Sequence, residues 1–213
     1  MSEVEHALAA AEAGADFISM VFAPSPRQVS LEKAIPLVEA IHNLKPCPAV
    51  VGVFVNLEAR EINHIAKSSQ LDWVQLSGNE TWQYCQKIKQ PLIKVIHVSG
   101  QKSEAVIAEI ERGYRTLATR EFICTLDTAA KDRYGGTGRA FDWQLAKEVA
   151  ARFPVMIAGG LTPENVGRLV EEAQPWGVDV SSGVETDGRK DIAKIAAFIQ
   201  AVRRAEKVMQ TPS

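Results

Sequence analysis

Pro154-Val155-Met156-Ile157-Ala158-Gly159-Gly160-Leu161-Thr162-Pro163-Glu164 holds the key to the architecture of this chain. Residues 154–158 form an apolar run of strand length, and Gly159-Gly160 ends it in a turn. Thr162 then caps a helix, with Pro163 at its first position and Glu164 just behind, both helix-start signals. Strand, glycine loop and helix start, in that order, place bare backbone N–H groups at the carboxyl edge of a sheet, where anions bind. Val180-Ser181-Ser182-Gly183-Val184-Glu185 is a second loop of this kind. A third region joins Ile123-Cys124-Thr125-Leu126-Asp127-Thr128 to Tyr134-Gly135-Gly136-Thr137-Gly138 and Phe141-Asp142-Trp143. There an apolar strand ends on a carboxylate, the position where alternating strand–helix proteins keep their chemistry.

The same alternation runs through the whole sequence. Strands are expected at 17–22, 50–55, 71–76, 92–98, 122–126, 154–158 and 178–181. Helices are expected at 4–14, 31–44, 57–67, 80–88, 103–112, 142–151, after Thr162, and at 191–203. Ser30 should cap the second helix, and Pro36 should kink it or delay its start. Parallel pairing through right-handed crossovers follows from this spacing. Seven strands and eight helices suit an open doubly wound sheet or a (β/α)8 barrel lacking its first strand. The glycine loops after the last two strands favour the barrel. One domain over residues 1–205, with a frayed tail at 206–213, is the expected organisation.

Composition narrows the function. The 213 residues carry 24 Lys+Arg against 26 Asp+Glu, a net charge of −2. That balance gives no footprint for nucleic acid or an anionic membrane, and no apolar run reaches membrane-spanning length. Cys47, Cys85 and Cys124 have no metal-like spacing, and an odd count argues against a disulfide framework. A cytoplasmic protein is expected. Cys124 lies three residues before Asp127, so strand alternation turns the two to opposite faces and makes Cys124 a buried small hydrophobe. His6, His42 and His64 fall on helices and should be solvated, while for His97 near a strand end lining the mouth is the lesser of two readings. Trp73, Trp82, Trp143 and Trp176 read as core or rim packing.

Taken together, these segments resemble the phosphoribosylanthranilate isomerase family. The resemblance rests on Ala11-Glu12-Ala13-Gly14-Ala15-Asp16, Val21-Phe22-Ala23-Pro24-Ser25-Pro26-Arg27, Val51-Gly52-Val53-Phe54-Val55-Asn56 and Val74-Gln75-Leu76. Asp127, Gly135-Gly136-Thr137-Gly138, Phe141-Asp142-Trp143, Ala158-Gly159-Gly160-Leu161 and Asp179-Val180-Ser181-Ser182-Gly183-Val184-Glu185 complete it. It implies a (β/α)8 barrel performing an Amadori rearrangement without metal or cofactor. N-(5-phosphoribosyl)anthranilate would become 1-(2-carboxyphenylamino)-1-deoxyribulose 5-phosphate. Asp127 matches the family's general acid, and Arg27 the partner of the anthranilate carboxylate. Gly159, Gly160, Ser182 and Gly183 match the phosphate loops, with Gly136 and Gly138 on the loop above Asp127. The expected partner is this phosphorylated small molecule. The oligomeric state stays open, with a homodimer among the options.

Three departures stand out, one of them a Phe22-to-Ser25 spacing one residue shorter than the family's form, on which the placement of Arg27 depends. The family carries its general base as a cysteine in a Lys-Ile-Cys-Gly segment on the first strand, and Met1-Ser2-Glu3-Val4-Glu5-His6-Ala7-Leu8 resembles the stretch that follows it. The missing strand and the missing base are thus one absence. Met1 is expected to be an internal methionine, and the 213-residue chain to have little isomerase activity. Ser77 stands where the family usually has histidine. The alternatives are a non-catalytic phosphate-binding remnant, or another phosphate-binding barrel enzyme such as a sugar-phosphate epimerase.

Overall fold

The computed structural model describes residue 1 and residues 3–127 and 143–210. Among the described residues seven strands form one sheet in chain order: β1 Phe17–Val21, β2 Ala49–Phe54, β3 Trp73–Leu76, β4 Leu92–His97, β5 Phe122–Asp127, β6 Val155–Ala158 and β7 Gly177–Val178. The registers of β1 on β2, β2 on β3, β3 on β4, β5 on β6 and β6 on β7 are all parallel. Eight α-helices alternate with them among the described residues: α1 Val4–Glu12, α2 Leu31–His42, α3 Ala59–Ser68, α4 Trp82–Cys85, α5 Ser103–Leu117, α6 Trp143–Ala150, α7 Val166–Ala173 and α8 Ile192–Gln210.

The chain packs as two compact units, Met1–Val95 with Arg112–Phe122, and Ile96–Glu111 with Ile123–Ser213. In the first, Ile18, Met20, Val50, Phe54, Val74, Leu76 and Leu92 are almost wholly buried. Near-continuous apolar strands of this kind suit a parallel sheet covered by helices. Gly52 admits the Leu71 side chain: a Cβ there would sit 2.3 Å from Leu71 Cδ1. Trp82 stacks edge-on against Phe122 at 5.5 Å, and Gly113 leaves room for its ring. In the second unit the core comes from Leu126, Val155, Ile157, Val166 and Leu169.

Several local expectations shift. α2 starts at Leu31 with Pro36 inside it, so the proline does not delay the helix. Proline removes a single i→i−4 bond there, and Leu37, Val38 and Ile41 anchor the turn beyond it. Ser30 occupies the N-cap without accepting a side-chain cap bond; it bonds instead to Glu32, whose carboxyl is held below the usual range first by its own backbone N–H and then by Ser30. α7 begins at Val166, not beside Thr162, because residues 163–165 form a turn first. β7 is Gly177–Val178, earlier and shorter than 178–181. α8 extends to Gln210, past the expected end of the domain at 205. A small antiparallel hairpin, β8 Glu185–Thr186 and β9 Arg189–Lys190, was not expected. Trp176 is exposed and so lies outside the core, and His6 is only 14% exposed beside Glu3.

Candidate active site

The second unit gathers its candidate residues at the carboxyl ends of its strands. Asp127 closes β5 opposite Ala158 of β6, so Gly159 and Gly160 leave the sheet at the neighbouring strand end. Both glycines have positive φ, 97° and 65°, a turn that L side chains resist. Asn165 braces it: its Nδ2 donates to the Gly160 carbonyl at 3.0 Å, and its Oδ1 accepts from Thr162 N at 2.8 Å.

Gly183 brings the next loop onto this one. A Cβ at that position would lie 1.7 Å from the Leu161 carbonyl oxygen and 2.8 Å from its carbon. Only glycine lets the two backbones meet. Ser182 and Gly183, in the short 3-10 turn Ser182–Val184, are thereby packed against the segment after Gly159-Gly160. Lys190 supports the loop from the hairpin, donating to the Ser181 carbonyl and pairing with Glu185, both at 2.8 Å. The hairpin turns through Asp187 and Gly188, both at positive φ, as a two-residue turn of the primed type requires.

Two residues join Asp127 that the sequence did not single out as site residues or only placed near the mouth. His97 ends β4, and its Nδ1 lies 3.8 Å from Asp127 Oδ2. Asp179, just after β7, has its carboxyl pushed up, first by desolvation and then by the Asp127 charge, with Lys190 opposing. Gly136 and Gly138 lie outside the described residues, as do Phe141 and Asp142. Among the described residues no group of three or more His, Cys, Asp or Glu side chains is arranged to hold a metal ion.

The first unit has strand-end residues of its own. Arg27 sits in the exposed loop after β1, its N–H donating to Ser25 Oγ at 3.2 Å. After β2 and β3 the chain is tied by a buried ion pair: Lys94 Nζ lies 3.5 Å from Glu80 Oε2, the side chains 9% and 2% exposed. Glu80 also accepts from Asn56 N at 2.7 Å and Gly78 N at 3.0 Å, and Lys94 donates to the Gly78 carbonyl. Burial pushes the neighbouring Cys85 thiol up to about 11, so it is no ready nucleophile. Ser77 accepts from Gln75 Nε2 at 3.1 Å.

Comparison with known proteins identifies the family. The family model described as N-(5'phosphoribosyl)anthranilate (PRA) isomerase matches residues 1–201. The chain belongs to the phosphoribosylanthranilate isomerase family. A family relative from Dehalococcoides mccartyi, named N-(5'-phosphoribosyl)anthranilate isomerase, is 51% identical over 207 residues, covering 97% of this chain and 94% of its own. The crystal structure of phosphoribosyl anthranilate isomerase from Thermotoga maritima is 38% identical, with a TM-score of 0.79 over 96% of each chain. Another isomerase structure, in complex with reduced 1-(o-carboxyphenylamino)-1-deoxyribulose 5-phosphate, is 36% identical, with a TM-score of 0.77 over 96% of this chain and 95% of that one. A further Thermotoga maritima structure, 34% identical with a TM-score of 0.77 over 96% and 95%, is of monomers generated from a dimeric phosphoribosylanthranilate isomerase. The fold is therefore the family's (β/α)8 type, and the protein is a phosphoribosylanthranilate isomerase of tryptophan biosynthesis. Among the described residues no helix is long and apolar enough to cross a membrane.

Proposed function

We propose that Asp127 is the general acid of the isomerisation and that the loops after β6 and β7 hold the substrate's phosphate. One observation carries the reading: Asp127 stands at a strand end directly beside Gly159-Gly160, against whose loop Gly183 interlocks. Phosphate would sit on the N–H groups of Gly159, Gly160, Ser182 and Gly183. The reading requires a substrate anchored there to bring its ribose ring oxygen within reach of Asp127. The carboxyl O–H breaks as the ring oxygen gains the proton. The C1′–O bond opens onto that oxygen, and the anthranilate nitrogen lone pair forms the iminium. A base then takes the C2′ proton, and the enol becomes the ketone. Neither Cys85, with its raised thiol, nor Cys124, on the other face of β5 by alternation, suits that second step.

Arg27 on the loop after β1 is proposed to pair with the anthranilate carboxylate, a partner suited to its planar fork. The dimeric relative supports a homodimer, which sedimentation velocity would test, and the biosynthetic relatives support a cytoplasmic location. The decisive assay compares the protein with Asp127→Asn. Loss of the acid should lower kcat by about 10²–10⁴-fold while binding of the reduced product analogue persists. Equal turnover by the two proteins would exclude Asp127 as the acid.

A further inference from the structure

Each turnover takes the proton of Asp127 at ring opening, and the carboxyl must regain one before the next. His97 is placed to supply it. The imidazole and the carboxylate end neighbouring strands, and Val98 N donates to the Asp127 carbonyl at 2.9 Å, which fixes the two strand ends side by side. Nδ1 and Oδ2 are 3.8 Å apart, about 1 Å beyond a hydrogen bond, a gap that a small rotation of either side chain closes. The His97 side chain is 43% exposed and that of Asp127 35%, so the imidazole meets water on one side and the carboxyl on the other. The His97 backbone is held as well: its carbonyl accepts from Gln101 Nε2 at 3.4 Å.

Building on the reading of Asp127 as the acid, we propose that His97 is a positioning residue that returns a proton from solvent to Asp127. In this step the Nδ1–H bond of the imidazolium breaks and an O–H bond forms at Oδ2. The neutral imidazole then takes a new proton from water or buffer. His97 touches no reacting atom and acts only through Asp127. An imidazole is the one ordinary side chain able to both gain and release a proton near neutral pH. Among the described residues Asp179 interacts with Asp127, and Lys190 opposes Asp179's raised carboxyl. On β4 itself Lys94 is occupied by Glu80.

The test measures kcat, KM and their pH dependence in His97→Asn and His97→Gln, with and without added imidazole, beside Asp127→Asn. The proposal expects kcat to fall about 10-fold or more with KM and Tm little changed. It also expects the pH dependence of kcat to change in both variants and free imidazole to restore much of the rate. A normal rate and profile in both His97 variants would overturn it, as would a loss that imidazole does not rescue. An active Asp127→Asn would instead overturn the acid assignment; an inactive Asp127→Asn with normal His97 variants would leave that assignment and remove only the relay.

Discussion

Gly183 shows how much one missing methyl group can decide. A Cβ there would overlap backbone atoms of Leu161, which cannot swing aside as a side-chain tip can. Gly183→Ala should therefore push the two loops apart. We expect a loss of about 1–3 kcal/mol in stability, typical of overpacking, together with a KM raised at least several-fold and a smaller effect on kcat. Steady-state kinetics and urea denaturation read these separately, and an unchanged KM would detach Gly183 from phosphate binding. The glycine was legible in the sequence as part of a loop motif. Its reason was not, because the atom it makes room for belongs to a residue more than twenty positions away.

Among the elements, the Lys94–Glu80 pair stitches the segments after β2 and β3 to β4. Removing one member strands the other charge in a buried place. Lys94→Met should cost about 3–5 kcal/mol, and adding Glu80→Gln should return part of it. Additive losses in urea melts would mean the two do not act as a pair. The strand–helix order was readable from apolar runs, yet several boundaries were not. Thr162-Pro163-Glu164 carries every sign of a helix start, but Asn165 spends its side chain on Thr162 N and Gly160 O, and α7 waits until Val166. Asp187-Gly188 is a hairpin turn signal, but the flanks Glu185-Thr186 and Arg189-Lys190 lack the alternation that marks strands. The hairpin rests instead on Lys190 reaching Ser181 and Glu185. Asp127 as a candidate was legible from its strand end and from the family resemblance. Asp179 needed the fold, since its crowding and its neighbour Asp127 come from β7 and β5 meeting β6.

For the molecule as a whole, Asp179 links the site to stability. Its carboxyl is raised in the folded protein, so the native state holds a proton that the unfolded chain has already released. Stability then falls as pH rises from the unfolded value near 3.9 through the raised folded value, and the cost is complete above it. Asp179→Asn removes that cost. The variant should melt higher than the parent at neutral pH, by an amount that shrinks to nothing as pH drops below about 3.9. For a chain of this size ~2–4 °C corresponds to 1 kcal/mol, within reach of calorimetry. A Tm difference that ignores pH would show that the carboxyl is not strained by its charge. A penalty retained beside Asp127 is what a site held ready for an anionic, proton-exchanging substrate would carry.

The hairpin gives this region a handle. Residues 186–189 face solvent, and a side chain grafted at Gly188 would meet nothing within 4 Å. Two residues further on, Lys190 grips the carbonyl of Ser181, at the root of the loop that carries Ser182 and Gly183. A fluorophore attached at Asp187 would thus stand clear of the reaction yet share a backbone lever with it. Substrate arriving at the loop should register as a change in that reporter's brightness, turning a structural brace into an optical gauge of occupancy.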